Sequence, residues 1–251
     1  MTVIVPDRTR ESGHGRLLVI DAQLGRFTTS SSSVPRCRLR RMHVVEPRYN
    51  AAWVPFEARM ETITGKRLAK WLNANERRGQ GKRVIMTPQK SGNAIDNPPV
   101  LAALAAQSTW VSARSDTVPW GGPVVAAWPS EESLIKCVSR VGESTLTVFE
   151  WGKAPGVLGW ATATGAFNAA TGELTPPLEP SLHDEFESML FLDDRLSSAP
   201  KSGRDRGYVH EFMRTFHRAG LDADFVVTYC IALGCTRDPR RVREHYRVAN
   251  G

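Results

Sequence analysis

The sequence predicts a three-layer, Rossmann-like α/β fold with a mainly parallel sheet, a basic N-terminal β-ribbon and a helical C-terminal region. Three runs carry that expectation: Arg83-Val84-Ile85-Met86-Thr87-Pro88, Val124-Val125-Ala126-Ala127-Trp128-Pro129 and Leu146-Thr147-Val148-Phe149-Glu150-Trp151-Gly152. Each is a short apolar stretch followed by a helical pattern, which suits strands covered on both faces. Sheets of this kind take ligands beyond the carboxyl ends of their strands, so the residues that close the three runs mark where a site belongs.

Ahead of these runs the chain reads as follows. Residues 1–15, with Pro6, Gly13 and Gly15 and little to bury, form a flexible start. Residues 16–21 and 36–45 alternate as strands, which places Arg36, Arg38 and Arg40 on one side of a β-ribbon. The stretch from Tyr49 to Glu61 shows no clear period, and Trp53, Pro55 and Phe56 mark it as a packed connection. A helix is expected over 65–78, with Leu68, Trp71 and Leu72 on one face and Lys66, Arg67 and Lys70 around the rest, stopped by Gly79-Gln80-Gly81.

Within and after the three runs the pattern alternates. A helix is expected over 98–107, a strand over 109–112, and a helix over 130–141 that opens on Ser130, Glu131 and Glu132, where a hydroxyl and carboxylates satisfy open N–H groups. Residues 157–170 read as a small-residue helix closed by Gly172. Beyond Thr175-Pro176-Pro177 the strand pattern gives way to helices at 182–192, 206–219, 223–233 and 239–248. The expected division is therefore a flexible segment 1–15, an α/β domain 16–172 and a helical region 173–251 packed on it.

Composition narrows the function classes. The 251 residues, 41% hydrophobic and 24% charged, suffice for a sizeable core without metal or disulfide staples. Cys37, Cys137, Cys230 and Cys235 form no CxxC pair, and the six histidines show no HExxH spacing, so neither a metal nor a cofactor is assigned. His183 and Glu187 read as an i, i+4 helix-surface pair. No apolar run reaches the roughly 20 residues of a membrane span, so no membrane partner is expected and the protein reads as cytoplasmic.

The net charge of +7 is unevenly placed: residues 1–82 hold 16 Lys and Arg against 7 Asp and Glu, whereas residues 173–251 hold 11 against 13. Arg36, Arg38, Arg40 and Arg41, with Lys66, Arg67 and Lys70, suit the neutralisation of a phosphate backbone. The same charges also suit a solvated face or pairing with the acidic C-terminal third. The terminal segment Arg237 to His245 reads as a basic helix that packs its Val242 and Tyr246 side.

One stretch resembles a known group. Gly65-Lys66-Arg67 before a helix, followed by Gly81 to Gln89 with Thr87-Pro88 closing a strand, is similar to the opening of the helicase and phage-terminase ATPases. That resemblance implies a phosphate loop, which requires GxxxxGK followed by Ser or Thr. Here Met60 stands at the first glycine position, Arg67 at the hydroxyl position, and Glu150 is a single acid where a pair is needed. A working ATPase is not expected.

Two functions remain in contention, with a protein–protein scaffold as a third. The leading expectation is a non-catalytic nucleic-acid-associated protein, DNA-binding through its basic N-terminal face. The alternative is a small-molecule or nucleotide enzyme at the strand ends, with Thr87, Gln89, Lys90, Ser91, Trp128, Ser130, Glu150 and Trp151 as ligand contacts and Glu150 as an acid or base. Spatially assembled catalytic groups leave no mark in spacing, so catalytic residues stay unassigned.

Overall fold

The structure, a computed structural model, describes residues 47–76, 81–89, 98–114, 119–152, 156–196, 203–235 and 239–251. The expected flexible start and β-ribbon, with Arg36, Arg38, Arg40 and Arg41, lie outside these residues, as do Lys90 and Ser91.

In chain order the elements are β1 (Asn50–Val54), α1 (Thr62–Asn75), β2 (Val84–Thr87), α2 (Pro99–Ala105), β3 (Thr109–Ser112), β4 (Val124–Ala127), α3 (Glu131–Val141), β5 (Thr145–Phe149), α4 (Leu158–Thr164), β6 (Phe167–Asn168) and β7 (Glu173–Leu174). Four helices follow: α5 (Pro180–Leu196), α6 (Gly203–Arg218), α7 (Ala223–Ala232) and α8 (Pro239–Asn250). The strands form one seven-stranded sheet in the order β3-β2-β4-β5-β1-β6-β7. Every pairing is parallel except β6 with β7. The three runs that predicted the sheet are its adjacent strands β2, β4 and β5, with Met86 opposite Ala126 and Ala127 opposite Phe149.

Strand alternation sorts the core into two clusters. Ala51, Trp53, Val84, Met86, Val124, Ala126, Leu146 and Val148 face one side and pack with Leu134 and Cys137 of α3, Trp160 of α4 and the C-terminal helices. Ala52, Val54, Ile85, Val125, Ala127 and Phe149 face the other, under Leu68 and Leu72 of α1 and Leu101 of α2. A parallel sheet is stable only when helices cover both faces in this way, which makes the architecture three-layered.

Local chemistry explains the helix that the sequence placed best. Ser130 is the N-cap of α3, its hydroxyl accepting from the Ser133 N–H at 3.3 Å, with Glu131 and Glu132 in the first turn. At the far end Gly142 takes a positive φ of 60° and turns the chain towards β5.

Two stretches differ from their sequence reading. The connection Tyr49–Glu61 contains β1, which lies between β5 and β6; its Asn-Ala-Ala-Trp-Val run is too short and small to show a period. The expected helix 157–170 ends at Gly165, in the left-handed region with φ 57°, and its continuation forms β6. Parallel pairing of Phe167 with Ala52 overrides the helical preference of the alanines there. Thr175 locks the turn: its hydroxyl accepts from Trp53 Nε1 at 3.0 Å and donates to the Ala166 carbonyl at 2.7 Å.

The C-terminal helices join the α3/α4 side, and residues Met42–Gly251 form one compact unit. α7 is buried continuously from Val226 to Ala232, as expected of a helix apolar all round. Phe186 of α5 stacks on Phe216 of α6 with centroids 3.9 Å apart and on Tyr229 of α7 at 4.2 Å. α7 meets α4 at Gly159, where a Cβ would stand 2.0 Å from the Phe225 carbonyl oxygen and 2.7 Å from Thr228 Oγ1. Only a residue without a side chain allows that approach.

Gly159→Ala therefore overpacks the α4/α7 contact and is expected to cost about 3 kcal/mol. Urea denaturation of the variant checks this; a loss within a few tenths would mean that α7 can retreat freely.

Candidate functional site

Neighbouring strands send the chain to opposite faces of the sheet at two places. After β1 the chain enters α1 on one face, whereas after β5 it enters α4 on the other. β2 and β4 diverge in the same manner, towards α2 and α3. Such divergence opens a crevice at the carboxyl ends of the strands.

Glu150, the first residue after β5, lies in the β1/β5 crevice. Its carboxylate accepts from the Phe56 N–H at 3.4 Å on the β1 side and from the Val157 N–H at 3.3 Å, ahead of α4. It is partly buried, and this desolvation raises its pKa above the ordinary 4.5; the two N–H contacts pull the other way, and the negative charge of Glu57 adds to the rise. Among the described residues it forms no ion pair.

Aromatic rings flank this carboxylate. Trp151 is 60% exposed, a large apolar surface left to solvent beside a crevice. It meets Trp128 edge to face with centroids 5.0 Å apart and an interplanar angle of 64°, and Phe56 at 6.2 Å and 74°. The guanidinium of Arg59 sits 3.5 Å from the centre of the Phe56 ring.

Trp128 adopts φ 57°, the one positive φ outside glycine among the described residues. For a bulky side chain this backbone state is strained, and such strain gathers where a side chain must be aimed in one direction. Its N–H holds the sheet edge by donating to the Phe149 carbonyl at 2.9 Å. Its indole nitrogen is buried and has no hydrogen-bond partner among the described residues.

The sequence-nominated ligand residues thus separate into two groups. Trp128, Glu150 and Trp151 come together. Thr87 is buried and committed, its hydroxyl donating to the Gln89 carbonyl at 2.8 Å and accepting from Trp110 Nε1 at 2.7 Å. Ser130 is committed to its cap, and Gln89 is exposed at the end of β2. Phe56 and Arg59 belong to the cluster and were not nominated; the aromatic run Trp53-Val54-Pro55-Phe56 was the available signal.

Of the basic residues, Lys66 and Lys70 are exposed on α1, whereas Arg67 donates to the Ala170 carbonyl and lies across Gly172. Gly65 and Lys66 stand inside α1, with the Gly65 N–H bonded to the Glu61 carbonyl at 3.2 Å, so this segment presents no phosphate loop. The basic α8 is tied inward: Arg243 bonds Glu131 of α3 and, at 2.5 Å, Asp224 of α7, while Val242 is buried. His183 and Glu187 form the expected i, i+4 contact at 3.3 Å.

Among the described residues no group of three His, Cys, Asp or Glu side chains is placed to hold a metal ion. No helix among them is long and apolar enough to cross a membrane.

The raised pKa of Glu150 has a definite sign. Its ionised form is disfavoured in the folded chain, so the cost is absent below pH 4.5 and complete once the pH exceeds the folded-state value. Glu150→Gln is expected to be more stable than the parent at neutral pH, with the gain vanishing in acid. Urea titrations across that range test it, and a gain independent of pH would contradict the assignment.

Compared with protein families, curated proteins and solved structures, the chain matches none, so the functional reading rests on the chemistry of the crevice.

Proposed function

We propose that the chain is a small-molecule-binding α/β protein whose ligand lies between the carboxyl ends of β1 and β5, against Trp151 and within reach of Glu150. The observation that carries this reading is the pairing of a partly buried carboxylate with a tryptophan that is 60% exposed, at a point where adjacent strands diverge. Binding sites combine apolar walls with a few convergent polar groups, and this edge supplies both. The left-handed backbone at Trp128 supports the same reading.

A ligand that binds only the folded chain raises its stability by mass action, by about 2.7 kcal/mol at one hundred times the Kd. Thermal melts against a mixed panel of nucleosides, amines, amino acids and organic acids are expected to yield at least one stabilising class. Trp151→Ala should remove the shift, measured against the variant's own unliganded melt, since the substitution also strips the edge-to-face contacts with Trp128 and Phe56. A flat panel would refute the reading.

A second reading, a nucleic-acid-associated protein, is favoured by the exposure of Lys66 and Lys70 on α1. It expects low-salt binding of duplex DNA in which Lys66→Glu with Lys70→Glu lowers the slope of log affinity against log salt by about 2. An unaltered slope would remove α1 from any such surface.

A further inference from the structure

We propose that Cys230 and Cys235, independently of the β1/β5 crevice, form a redox site: a pair of thiols that a low-molecular-weight disulfide converts into an intramolecular disulfide where α7 ends.

Backbone geometry brings the two residues together. α7 closes on Ala232 with Leu233 as its C-cap, and Gly234 follows in the left-handed region with φ 89°. The Gly234 N–H donates to the Ile231 carbonyl at 3.1 Å, and the Cys235 N–H donates to the Cys230 carbonyl at 2.9 Å. Those two bonds define a Schellman motif, whose accompanying side-chain contact joins the positions that Cys230 and Cys235 occupy. The second bond also limits their separation, because standard bond lengths then hold the two Cα atoms within about 6.8 Å of one another. Disulfides span Cα separations of about 4.4–6.8 Å. A spacing of five residues announces nothing in the sequence; the turn at Gly234 is what brings the thiols into range.

Exposure gives the two thiols different parts. Cys230 is 1% exposed within the core, whereas Cys235 is partly exposed and packs against the same cluster. A reagent from solvent therefore meets Cys235 first. The Cys235 thiolate attacks one sulfur of a disulfide such as oxidised glutathione: the S–S bond of the reagent breaks, a mixed disulfide forms on Cys235, and one glutathione leaves as its thiolate. The Cys230 thiolate then attacks the Cys235 sulfur, the mixed bond breaks, and the second glutathione leaves. Two electrons pass from the cysteines to the reagent, and the two cysteine protons finish on the two glutathione thiols. Cys137 takes no part, since it is fully buried, burial pushes its thiol up to about 12, and it donates to Met86 Sδ at 3.6 Å. The new bond fixes the corner at which the chain leaves α7.

Both cysteines fall in one tryptic peptide, Ala219–Arg237, which separates them from Cys37 and Cys137. The full chain is equilibrated with glutathione buffers of rising oxidised fraction, quenched in acid, alkylated, digested and read by mass spectrometry. The peptide is expected to lose two hydrogen masses and both alkylation sites as the oxidised fraction rises, and to regain them with dithiothreitol. Towards iodoacetamide, Cys235 of the reduced chain should react at least tenfold faster than Cys230. Cys230→Ser should hold glutathione on Cys235 as a stable adduct, and Cys235→Ser should show neither bridge nor adduct in this peptide. Should Cys230→Ser fail to fold, the peptide of the parent chain decides by itself. A peptide that stays reduced in oxidised glutathione alone, or that keeps glutathione on Cys235 without closing the bond, overturns the inference. A bond from either cysteine to Cys37 in place of the pair overturns it as well.

Discussion

The parallel pairing of β1 with β5 is the contact on which the rest of the molecule depends. It joins Asn50–Val54 to Thr145–Phe149 in full register, and both strands are covered above and below by different helices. Their backbone groups are cut off from water, so the ladder must satisfy them. Because the chain leaves the two strands towards opposite faces, the same pairing that closes the core leaves a crevice at its carboxyl end. Glu150 bridges that crevice to the Phe56 backbone, which makes the core register and the geometry of the site a single constraint.

Several arginines of the described chain are tied into the fold. Arg83 is fastened to Glu76, Arg243 to Glu131 and Asp224, and Arg67 to a backbone carbonyl. These three cations act within the fold, where paired charges offset their own desolvation and contribute little net stability. Glu150 differs in being partly desolvated with only long N–H contacts. That difference is why the crevice, and not the arginine-rich helix α8, stands out as chemistry left over after folding.

Legibility in the sequence followed burial on two faces. β2, β4 and β5 could be read because Val84–Thr87, Val124–Ala127 and Thr145–Phe149 are buried throughout, so their composition is fixed by the core. Ser130 with its acidic followers was readable because capping is local. β1 was hidden, since two alanines and a tryptophan between Asn50 and Val54 carry no period, and β6 was hidden because its pairing to β1 is tertiary. In the site, Trp128, Glu150 and Trp151 were nominated by position after strands, whereas the commitment of Thr87 to Trp110 and the entry of Phe56 required the folded geometry. Lys90, Ser91 and the arginines from 36 to 41 fall outside the described residues, and the basic face read from them stays a property of composition.

The strand order carries a consequence for biosynthesis. β1 leaves the ribosome well before β5 and β6, the strands that flank it, so it spends that interval with both edges open. Non-local parallel pairing is slow to form, and an unpaired apolar strand is a template for association with other chains. The composition of β1 limits this hazard: Ala51 and Ala52 offer little sticky surface, and Pro47 and Pro55, which cannot donate to a ladder, confine the reach of the exposed segment. The small residues that concealed this strand from pattern reading also leave it less apolar surface to offer other chains while it waits for its neighbours.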